Sequence, residues 1–110
     1  MSPGRKPIEQ KTRYDLALDH LTHHFQMNTL PLAPPLGELP ADLVEIREGP
    51  GFGKQHCAVC ESLISGAQPL PGQRPVLVEY VYQSGLTVSF HGDCHEAWMN
   101  KSVEWRREHP

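Results

Sequence analysis

Long hydrophobic runs are missing from this sequence: no stretch approaches the ~18 apolar residues that span a bilayer. Met1 to Arg13 also lacks the apolar centre of a secretion signal, being polar and interrupted by Pro3 and Pro7. A reducing, cytoplasmic setting is therefore expected. Apolar residues are scarce overall, 38% of 110 with 7% aromatic, whereas Gly and Pro number 9 and 11. So small and core-poor a chain calls for a staple, either metal or disulfide. A strong charge of one sign is absent too. The net charge of −3 excludes a generally basic, nucleic-acid-coating surface. Cysteine is nearly absent: the three present cannot all pair within one chain, which in a reducing compartment favours metal over disulfides.

What is present is arranged in two short pairs, Cys57-x-x-Cys60 and His91-x-x-Cys94. A structural zinc ion takes four N or S donors in a tetrahedron. A CxxC turn points two sulfurs to one side. A His just before a helix and a Cys in its first turn supply the other pair, with the positive helix N-terminus beside the thiolates. Cys57, Cys60, His91 and Cys94 are thus expected to bind one structural Zn²⁺, with a net charge of −1 on the site. His56 and His95 are less suited: His95 lies one residue, about 100 degrees, round the helix from Cys94. It is expected beside the site or exposed. Enzymatic alternatives fit less well. A redox CxxC needs a thioredoxin-like βαβ setting. A zinc deaminase needs H-x-E upstream and P-C-x-x-C downstream, whereas here the CxxC comes first and Asp93 stands in the acid position.

Around these pairs the chain divides into four expected parts. Residues 1–10 form a basic, disordered arm; Arg5, Lys6, Lys11 and Arg13 stand in this region against Glu9 alone. Residues 11–27 form an amphipathic helix, with Tyr14, Ala17, Leu18, Leu21 and Phe25 as its stripe and Thr12/Asp15 as its start signal. That stripe needs a cover: the zinc module, another copy or a partner. His20, His23 and His24 read as a solvated face of the same helix. Residues 28–53 form a Pro/Gly-rich connector; of its leucines, Leu30, Leu32, Leu36 and Leu39, several are expected to lie on a surface. Within it, Leu43–Ile46 is either a short strand or a helical turn, and Gly49–Gly53 reads as a hinge without regular structure. The zinc-binding module occupies 54–110: the CxxC turn, a loop over Ser65–Pro75, and a β-hairpin of Val76–Tyr82 and Leu86–Phe90 turning at Gln83–Gly85. A helix capped by Asp93 then runs from about Cys94 to Arg107. Trp98 is expected to pack on the hairpin. Trp105 is expected either to anchor a partner or to cover the module's edge.

The spacing Cys57-x2-Cys60-x30-His91-x2-Cys94, with Phe90-His91-Gly92-Asp93-Cys94, resembles the PARP-type zinc finger. It is more distantly similar to the first half of a LIM domain. The resemblance covers about residues 54–105 and implies a treble-clef-like α+β fold, with the four residues named as zinc ligands. The DNA-break recognition that goes with PARP-type fingers is not matched by the charges. From Lys54 to Pro110 there are five Lys/Arg against six Asp/Glu, and Arg74 alone is basic between Cys60 and His91. The sequence is thus read as a non-enzymatic zinc-binding module that presents a protein-interaction or regulatory surface. Its expected partner is another protein; DNA binding and zinc hydrolase or deaminase chemistry are the alternatives.

Overall fold

The computed structural model describes residues 12–35, 37–67 and 69–110, so the basic arm and Leu36 lie outside the described residues. The chain is a small α+β unit in the order α1 (Arg13–Met27), β1 (Leu43–Gly49), β2 (Gly51–His56), β3 (Leu63–Gly66), β4 (Leu77–Tyr82), β5 (Thr87–His91), α2 (Gly92–Glu108). No described helix is long and apolar enough to cross a membrane.

Helix α1 starts where Thr12 and Asp15 close a reciprocal capping box, Thr12 Oγ1 accepting from the Asp15 N–H at 3.2 Å. It ends at Asn28, whose left-handed φ of 56° lets its N–H return to the last turn. Its stripe is covered: Ala17, Leu21 and Phe25 are buried in one core with Val59, Val78, Phe90, Ala97 and Trp98. Phe25 meets the Trp105 ring edge-on at 5.5 Å. The helix therefore docks on α2, and Trp105 is part of that seam.

The connector is shorter than its composition suggests. From Leu43 onward it is strand. The Gly49–Gly53 stretch expected as a hinge instead carries the end of β1 and the start of β2. Gly51 is required there by packing, because a Cβ would lie 2.7 Å from the Ile64 carbonyl oxygen on β3. Leu63–Gly66, expected partly as loop, is β3, paired with β2. β1 pairs antiparallel with β4, and β4 with β5, giving a three-stranded sheet in the order β1-β4-β5. The division expected at residue 53 is thus bridged by a ladder.

Residues 31–35 have no regular structure and strap α2. Proline has no N–H to give, but the carbonyls of such a segment remain free acceptors. Trp98 Nε1 donates to the Pro31 oxygen at 2.8 Å, and the Arg106 guanidinium donates to the Ala33 oxygen. Ser102 Oγ accepts from the Ala33 N–H at 2.8 Å. Trp98, Ser102 and Arg106 recur every fourth residue, on one face of α2. Leu30 is buried beneath the strap, Leu32 is half-buried and Leu39 is exposed.

Candidate metal centre

Four elements converge on one point. The turn between β2 and β3 carries Cys57 and Cys60. It is closed by Cys57 N–H to Ser62 O and Glu61 N–H to Cys57 O, both 2.9 Å. Glu61 takes a left-handed φ of 65°, a conformation that costs a non-glycine residue about 1–2 kcal/mol. Strand β5 ends at His91, and Cys94 sits in the first turn of α2. The start of α2 is clamped to the segment before β4: the Gly92 N–H donates to Val76 O, and a Cβ on Gly92 would lie 2.0 Å from Pro75 O. Only glycine fits there.

The donor atoms of Cys57, Cys60, His91 and Cys94 all lie within 4.8 Å of one another. His91 Nδ1 is 3.3 Å from Cys60 Sγ and 3.9 Å from Cys94 Sγ. A tetrahedron with Zn–S near 2.3 Å and Zn–N near 2.0–2.1 Å requires donor separations of roughly 3.6–3.8 Å, so the spacing fits a metal ion of that size. The histidine is also held in the required tautomer. Its Nε2 lies 3.1 Å from the Leu63 carbonyl, which can only accept, so Nε2 carries the proton and the Nδ1 lone pair faces the sulfurs.

Cys57 and Cys94 are buried, and Cys60 is half-buried. A hydrogen bond couples the two buried thiols. A hydrogen bond from Cys94, and the backbone N–H groups of Cys60, His91 and Val59, hold the Cys57 thiol well below its ordinary range. Cys94 is pushed up by its bond to Cys57, by burial and by the repulsion of neighbouring thiolates. A group of this kind could hold a metal ion, whose charge would stabilise the thiolates together.

One residue at the site was not legible in the sequence. Arg13 Nη1 lies 3.4 Å from Nδ1 and 3.3 Å from Nε2 of His91, and 3.9 Å from Cys60 Sγ. Near-equal distances to both ring nitrogens place the guanidinium over the imidazole face. The interaction joins residues 78 apart in the chain, and no local pattern signals it.

The remaining histidines and Asp93 take other places. His24, expected on a solvated face, contacts the Val59 carbonyl inside the CxxC turn at 2.9 Å and Thr29 Oγ1 at 2.7 Å. His56 Nδ1 bonds Glu61 O at 2.9 Å. His95 packs among Tyr80, Phe90 and Trp98 with Nε2 2.8 Å from the Tyr80 hydroxyl, and burial lowers its pKa. Asp93 does not cap α2. The N-cap is His91, without a side-chain cap bond, and Asp93 instead accepts from Arg74 at 2.8 Å. Trp98 stacks on Phe90 of β5 at 4.7 Å, the hairpin contact its position implies.

No protein-family profile, curated protein or solved structure matches the chain.

Proposed function

We propose that this chain is a non-enzymatic zinc-binding module, in which a single Zn²⁺ held by Cys57, Cys60, His91 and Cys94 serves structure and the surrounding surface binds another protein. The observation that carries this reading is the convergence of four protein donors within 4.8 Å of one another, compatible with a tetrahedral Cys₃His site, with the His91 Nε2 turned to the Leu63 carbonyl. Four protein donors complete a structural coordination shell, whereas a catalytic zinc keeps a position for water or substrate. The order of elements supports a treble-clef-like arrangement resembling the PARP-type finger: a CxxC turn between two short strands, a hairpin, then a helix carrying the second ligand pair. Exposed apolar side chains at Leu39, Phe52 and Leu63 support a protein partner over a phosphate backbone.

Zinc analysis of protein purified without added metal is the test. One zinc per chain is expected in the wild type and none in Cys60→Ser. A Cys60→Ser protein that keeps both its zinc and its fold removes the Cys₃His reading. A water ligand seen at the bound metal by X-ray absorption removes the structural one.

A further inference from the structure

Strand β1 is bonded to β4 along one edge, and among the described residues no strand pairs with its other edge. Its seven residues, Leu43-Val-Glu-Ile-Arg-Glu-Gly49, are exposed from Val44 to Glu48, and Val44 and Ile46 keep 59% and 39% of their surface open. A strand edge with exposed apolar side chains is a template for another strand. The register decides which strand fits. Ile46 and Glu48 lie opposite Tyr80 and Val78, on the sheet face that packs toward α2. Glu45 and Arg47 lie opposite Val81 and Glu79, on the other face.

We propose that a second copy of this chain occupies that edge, β1 pairing antiparallel with β1 about a two-fold axis through Ile46. In this register Ile46 faces Ile46 of the second copy. Glu45 faces Arg47 of the second copy, and symmetry repeats that pair. The strand is therefore its own charge complement on one face and offers an apolar centre on the other. Directly opposed residues are the pairs that interact most strongly across a ladder. Within one chain Arg47 reaches the exposed Glu45 at 2.6 Å and the largely buried Glu79 at 3.8 Å. A second copy completes a ring of two glutamates and two arginines there. Two three-stranded sheets become one of six strands. The proposal rests on the β1–β4 ladder alone and is independent of the metal reading.

Sedimentation velocity of the metal-loaded full chain, from about 10 µM to about 1 mM, reads the association directly. The wild type is expected to shift reversibly toward the mass of two chains. Glu45→Arg and Arg47→Glu each place like charges opposite one another twice, and each is expected to weaken the dimer on the order of tenfold. Mixing these two variants restores opposite charges at both positions and should recover association between the unlike chains. Loss of folding cannot produce that rescue, and circular dichroism of each variant checks the fold. A wild type that stays monomeric throughout, a dimer indifferent to both variants, or a mixture that fails to re-associate overturns the proposal.

Discussion

Arg13 brings a permanent positive charge to a cluster that carries a net −1 once three thiolates and one imidazole surround a divalent ion. Groups that touch ligands without coordinating typically change metal affinity 10- to 100-fold. The contact at Cys60 is exposed, so the lower end applies. Arg13→Ala is expected to weaken zinc binding about tenfold, read by competition with a chromophoric chelator, and Arg13→Lys should recover part of it. An affinity unchanged by Arg13→Ala would show that the guanidinium is a bystander. The four donors themselves were legible because each pair is local: two ligands three residues apart on a turn, two more at a strand-to-helix junction. Arg13 was not, because only the docking of α1 brings it there, and spacing along the chain carries no trace of docking. His24 escaped for the same reason; its acceptor is a backbone carbonyl of the CxxC turn, which no composition argument reveals.

Among the elements, α2 does most of the positioning. Its first turn holds Cys94, its aromatic face packs on β4 and β5, and its Trp98–Ser102–Arg106 row ties down residues 31–33. Ser102 is fully buried and serves two partners, accepting from the Ala33 N–H and donating to the Trp98 carbonyl at 2.6 Å. Removing the hydroxyl strands a buried N–H, which costs about 2 kcal/mol. Ser102→Ala should therefore lower unfolding stability by that amount in urea titrations, with zinc content unchanged. A loss under about 0.5 kcal/mol would mean that the strap re-forms its bonds elsewhere. The β4–β5 hairpin and both helices were readable from β-branched runs, helical periodicity and the Gln83–Gly85 turn. β1 and β2 were not. Glycines at 49, 51 and 53 signal chain freedom in isolation, yet Gly51 is there for close approach to Ile64, a tertiary reason.

At the scale of the whole molecule a bound metal and the first helix are expected to form one cooperative unit. A structural zinc contributes on the order of 10 kcal/mol, comparable with the entire stability of a domain of this size. An isolated helix of 15 residues is marginal in water. Since α1 buries Ala17, Leu21 and Phe25 against α2 and touches the CxxC turn through Arg13 and His24, it should not outlast the site. Treatment with a strong chelator is expected to abolish hydrogen-exchange protection at Leu21 and Phe25 together with that at Trp98, in a single transition. Protection surviving at Leu21 alone would mark α1 as independent of the site. The sequence could not decide the point, because an amphipathic stripe announces that a cover exists without saying which.

The strap has a consequence for the order in which the protein is made. Ala33 reaches Ser102 across 69 residues, and every tether of the strap is of similar span. At about 5–20 residues per second the ribosome needs roughly 3 to 14 seconds to cover that distance. For that interval α1 and the proline segment are complete but have no α2 to rest on, with Leu21 and Phe25 bare. Helix α1 is therefore expected to be open to capture by chaperones until α2 has been made and covers it.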